Sequence, residues 1–149
     1  MAIARGAGTE IIRCIHLEEV DATESVLIFG VQYHIYTVLS VICYAQAVQA
    51  AGNYITMYLT AYDAKEGTTG KDMYIFRNDM SVEQTYVWND KFSFNGAEPT
   101  DFTGALNAAD DQDAIADQAQ NTAQVLNIKS ENAADDFEIH CTYIDQNNA

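Results

Sequence analysis

Proline, basic residues and long apolar runs are scarce in this sequence, and each scarcity narrows what the chain can be. A single proline in 149 residues leaves few forced breaks in regular structure. Seven Lys and Arg stand against 22 Asp and Glu, a formal charge of −15. Such a surface repels phosphate backbones, so no nucleic-acid partner is expected. The longest apolar run, VLSVICYAQAV (38–48), is far too short for a membrane span, and no membrane partner is expected. The opening MAIARGAGTEIIR has no apolar segment behind its first base, so no secretory leader is read there. Cysteine is limited to Cys14, Cys43 and Cys141, each among β-branched or aromatic neighbours. That setting suits small buried hydrophobes in a reducing compartment better than a disulfide framework. The expectation is a soluble protein made in a cytoplasm.

Signatures of chemistry are missing too. There is no G-x-S-x-G elbow, and neither Cys43 nor Cys141 has a Lys or Arg beside it to activate a thiol. GTTG (67–70) is not followed by a helix carrying Lys-Ser/Thr, so no phosphate loop is read. Two metal arrangements can be posed. Cys14-x-His16 and His140-Cys141 supply four zinc-type ligands. On strands, Cys14 and His16 share a face while the adjacent His140 and Cys141 point apart, so the four do not converge without a bulge. DDQD (110–113) with Asp117 offers carboxylates to calcium, but the glycine and glutamate of an EF-hand loop are absent. A solvated acidic helix start is the plainer reading. No catalytic residue, metal or cofactor is therefore expected, and the chain is expected not to be an enzyme.

What is present is period-2 patterning over a length that suits one domain. A chain of this size buries roughly 68–70% of its extended surface, enough for one core without disulfides. TEIIRCIH (9–16), VLIFG (26–30), HIYTVLSVIC (34–43), NYITMYLTAYD (53–63), DMYIF (72–76), TYVW (85–88), KFSF (91–94) and DFEIHCTYI (136–144) all read as strands. HIYTVLSVIC is apolar at both parities, as a strand covered on both faces should be. NYITMYLTAYD alternates, with Ile55, Met57, Leu59 and Ala61 on one face and Tyr54, Thr56, Tyr58, Thr60 and Tyr62 on the other. AKEGTTGK (64–71) reads as a loop, and Asn89-Asp90 as the tight turn of a hairpin. Phe137, Ile139, Cys141 and Tyr143 share one face of the last strand. The fold expected is an all-β antiparallel sandwich, jelly-roll-like, spanning 9–149 behind an extended N-terminal arm, 1–8.

The charge is uneven. Residues 76–149 hold fourteen acids and three bases, and no Lys or Arg lies between Lys91 and Lys129. Within that stretch DDQDAIADQAQNTAQVL (110–126) has Ile115, Ala119, Thr122 and Leu126 at helical spacing, with acids at its start. A short acidic helix or loop insertion is expected over 98–131; a strand QVLNIKS (124–130) is the other option.

Two aromatic groups invite a functional reading. Tyr54, Tyr58 and Tyr62 make a row that can be an ordinary half-exposed strand face or a subunit interface. YVWNDKFSFNG (86–96) holds the one tryptophan, and Trp88 with Tyr86 and Phe92 reads as core holding a sheet together. An exposed Trp88 would instead suit a carbohydrate-binding module.

The order of elements resembles a known family. YHIYTVLSVICYAQAV, then YITMYLTAYD and a loop, then DMYIFRNDMSVEQTYVWNDKFSFNG and a terminal DFEIHCTYIDQNN is similar to small virion proteins of tailed phages, of the kind common in marine and cyanobacterial phages. The likeness covers 9–96 and 136–147. It implies an all-β structural subunit located in the virion, first of all a capsid decoration (cement) protein. Neck, tail or baseplate subunits are the alternatives. It implies as partners the chain itself, as a homo-oligomer with a trimer among the options, and the major capsid protein or another virion protein. Tyr54, Tyr58 and Tyr62 are the candidates for subunit contact, and the 1–8 arm, with Ile3 and Arg5, for docking.

Overall fold

The computed structural model describes Gly6, residues 8–49, 53–99, 108–110 and 121–148. Eleven strands account for most of these. They are β1 (Thr9–Val20), β2 (Ser25–Phe29), β3 (His34–Ala47), β4 (Tyr54–Asp63), β5 (Thr68–Asp79), β6 (Thr85–Trp88), β7 (Phe92–Asn95), β8 (Ala97–Pro99), β9 (Asn121–Ala123), β10 (Val125–Lys129) and β11 (Asp136–Asn147). One sheet runs β1-β11-β3-β6, with β7 also on β3; a second runs β2-β10-β4-β5; β8 and β9 form a short ribbon. Every pairing is antiparallel. The chain is an all-β sandwich.

One core joins the two large sheets. Val38, Val41, Cys43, Phe137, Ile139 and Cys141 meet Leu27, Ile55, Met57, Leu59, Leu126 and Ile128, all buried. β-branched and aromatic side chains fit a pleated surface covered on one side, which is why these segments are strands. The strand ends lock together where backbone meets backbone. A Cβ on Gly30 would stand 2.0 Å from the Gly96 carbonyl oxygen, and one on Gly96 would stand 1.9 Å from that of Val31. Only glycine allows that approach. Gln124 completes the joint: its amide donates to Gly96 O at 2.9 Å and its carbonyl accepts from Gly30 N at 2.8 Å.

Several expectations change. YVWNDKFSFNG is not a hairpin. β6 and β7 lie in tandem along the same edge of β3, with Trp88 opposite Val41 and Phe92 opposite Val38. Three residues, 89–91, face two on β3, and Lys91 takes a φ of 59°. It is one edge strand broken by a bulge. Its aromatics do hold the sheet: Trp88 and Phe94 are buried, and Tyr86 and Phe92 pack on the same core.

β3 and β4 exchange their expected roles. In β3 a bulge at Leu39 switches parity, since Thr142 pairs with Ser40 and Tyr143 with Val38. Tyr36 and Val38 point inward before it, and Val41, Cys43 and Ala45 after it. The strand is covered on one face, not two, and its other face keeps Ile42 exposed. β4 is the strand buried on both sides. The loop after it is shorter than expected, because β5 begins at Thr68 and only 64–67 turn. Asp63 Oδ1 accepts from the amides of Lys65 and Glu66, and Gly67 turns with a φ of 71°.

At the end of the acidic stretch, 121–123 and 125–129 are strands rather than helix, so the second option for QVLNIKS holds there. Of the rest of the proposed insertion, Glu98 and Pro99 belong to β8 and Ala109 and Asp110 are helical, whereas 100–107 and 111–120 lie outside the described residues, as do Ile3 and Arg5 of the arm.

Candidate functional site

The tyrosine row is not an open face. Tyr58 and Tyr62 are only 2% and 6% exposed, and Tyr54 is half-buried. β10 and β5 flank β4, and the Tyr58 ring is packed from above. Its hydroxyl donates to Glu24, Lys129 Nζ stands 5.3 Å over the ring and Tyr74 tilts against it at 5.9 Å. Burial, with Glu24 second, raises the Tyr58 hydroxyl above its ordinary value. Alternation reported the strand correctly but not the cover on its second face. The residues expected to meet a partner are largely enclosed by their own chain.

Beside them lies a groove of about 410 Å³ lined by Thr56, Tyr74, Arg77, Lys129 and Glu131. Arg77, Thr56 and Lys129 are lateral neighbours on three strands. The Arg77 guanidinium sits 4.0 Å over the Tyr54 ring and donates to Glu131 at 2.6 Å. Its charge is already committed to a carboxylate, so the row works as a cross-strand clamp.

The outer side of β1 and β11 differs in kind. Among the described residues β1 pairs with β11 alone, so its second edge is open from Thr9 onward. Ile12 on this strand is 71% exposed. His16 stands directly opposite His140, the rings stacked 4.3 Å apart and 7° from parallel. Two residues along each strand, on the same face, are Glu18 and Glu138. His16 Nε2 is 3.9 Å from Glu138 Oε1, and ligand atoms of His16, Glu18 and Glu138 lie within 4.8 Å of one another.

This corrects the four-ligand idea drawn from Cys14, His16, His140 and Cys141. The two histidines do meet, but Cys141 is fully buried on the inner face and Cys14 faces Thr142 one row away. Burial pushes the Cys43 and Cys141 thiols up to about 12. Two glutamates take the places that sequence spacing gave to cysteine. His-x-Glu and Glu-x-His were visible as same-face pairs; what was not visible is that β1 and β11 are partners in this register. Of the DDQD calcium candidate only Asp110 is described, and it is exposed.

Two buried carboxylates are structural ties. Asp135 accepts from Gln49 N at 2.8 Å and Asn53 Nδ2 at 2.9 Å, fastening loops at one end of the sandwich. Asp145 meets His34 Nδ1 at 2.6 Å and Arg13 Nε at 3.3 Å. Trp88, at 7% exposure, presents no ring face to a sugar.

The chain matches no protein-family model and no curated protein. Among solved structures it is similar to one described as "Bacillus endospore appendages form a novel family of disulfide-linked pili", at 12% identity and a TM-score of 0.44, over 100% of this chain and 97% of that one. A likeness that distant carries no functional reading.

Proposed function

We propose that the chain is a non-enzymatic structural subunit of a phage virion, a decoration protein that joins copies of itself and binds the shell. The virion part rests on the sequence resemblance. The observation that carries the structural part is β1, a twelve-residue edge strand with one side unpaired among the described residues and Ile12 largely exposed. Such an edge is a template for another strand unless charge, proline or a bulge blunts it. The bulge falls only at its far end, between Leu17 and Val20, and the segment from Thr9 to Leu17 is regular. Pairing β1 with β1 of a second copy closes a dimer; pairing it with a different edge gives a ring, such as a trimer. The exposed run Phe29, Val31 and Tyr33 at the β2–β3 turn adds apolar surface for contact with the shell.

Quantitative mass spectrometry of purified particles tests the reading. Abundance comparable to the major capsid protein is the expected result. A count matching a single ring would move the subunit to the neck, tail or baseplate, and absence from the particle would overturn the proposal.

A further inference from the structure

We propose that His16, His140, Glu18 and Glu138 form a binding site for a divalent transition-metal ion of the zinc class. Two antiparallel strands place His16 opposite His140, and Glu138 and Glu18 follow two residues along on the same side, Glu18 at the bulge where the register shifts between Leu17 and Val20. Ligands on a tetrahedral zinc ion stand about 3.3 Å apart. Donor atoms of His16, Glu18 and Glu138 are already within 4.8 Å of one another, so side-chain rotation alone closes the remaining gap. His140, stacked on His16 at 4.3 Å, supplies a fourth donor by the same kind of rotation. Imidazole selects zinc and its neighbours over calcium or magnesium, which take oxygen alone.

The surroundings suit a cation. Arg13, the nearest base along β1, is turned to the other side of the sheet, where it meets Asp145. The next row toward the strand start holds Cys14 and Thr142, and beyond His140 in the same lateral row lie Ile42 and Val87. A bound ion would fasten the edge strand β1 to β11 at the point just before its pairing becomes irregular.

The test uses the full chain, freed of metal, titrated with zinc chloride and separately with cobalt(II) chloride. Expected are one tight equivalent, a cobalt visible spectrum of nitrogen and oxygen ligation without a sulfur charge-transfer band, and a rise in Tm of about 5–10 °C at hundred-fold excess over Kd. His16→Ala and His140→Ala should each weaken binding more than about ten-fold, and Glu138→Gln measurably, while Cys14→Ser leaves it unchanged. All four positions are at least partly exposed, so the variants should fold, with Tm in the absence of metal as the check. No binding, undiminished binding in a His16→Ala, Glu138→Gln double variant, loss of binding in Cys14→Ser, or equal affinity for calcium would each overturn the assignment.

Discussion

Strands β3 and β4 lie at the centres of facing sheets, yet β3 buries one face and β4 buries most of both. β3 is apolar at both parities because a bulge at Leu39 changes which parity faces the core. β4 alternates in its hydrophobic residues, yet Thr56, Tyr58 and Tyr62 of its other face are buried too, since hydroxyls and rings can be enclosed once they have partners. Periodicity reports which side chains share a face. It does not report where the pleat slips, nor which face a neighbouring segment covers.

Deletion of Leu39 should have the largest effect. Removing the extra residue turns Tyr36 and Val38 outward or Val41, Cys43 and Ala45 outward, and loss of cooperative unfolding in chemical denaturation is expected. Retention of the native melting transition would mean that the bulge does not set the parity.

A matched pair of truncations comes next. Tyr58→Ala on β4 should cost about 3–5 kcal/mol, as for other buried aromatics, although sequence places Tyr58 on the polar face. Ile42→Thr on β3 should cost within about 0.5 kcal/mol, although Ile42 is the more hydrophobic residue, because it is exposed. Equal costs in urea melts would remove the distinction between the two strands.

The smallest effect separates thiols by face. Cys14 is exposed, whereas Cys43 and Cys141 are buried. One thiol should react with an alkylating reagent in the native protein and three after denaturation. The buried pair also shapes the alkaline limb of stability. Their native pKa is raised from 9.0 to about 12, so the unfolded chain ionises first. Their contribution is whole below about pH 9 and is lost as pH rises toward 12. Tm should fall over that range, less steeply in a Cys43→Ala, Cys141→Ala variant.

Much of the fold was legible residue by residue. Phe137, Ile139, Cys141 and Tyr143 were assigned one face and are all buried; TYVW matches β6, and the aromatics of 86–94 pack in the core as read. The false hairpin at Asn89-Asp90 has a physical cause: a bulge and a two-residue turn place the same polar residues between apolar runs, and only the partner strand distinguishes them. The same gap explains the surface cluster. Neither His16-x-Glu18 nor Glu138-x-His140 is notable alone, and the register that joins them spans more than a hundred residues of sequence.

Sedimentation velocity on the wild type beside Ile12→Lys most directly tests whether the open β1 edge builds assemblies. Arg13 is turned to the other face and paired with Asp145, so a new, unpaired charge in place of the exposed Ile12 should oppose strand addition and leave the folded chain intact. The expected result is a concentration-dependent oligomer for the wild type and a monomer of unchanged Tm for the variant. Two monomers, or the same oligomer from both, would contradict assembly through β1.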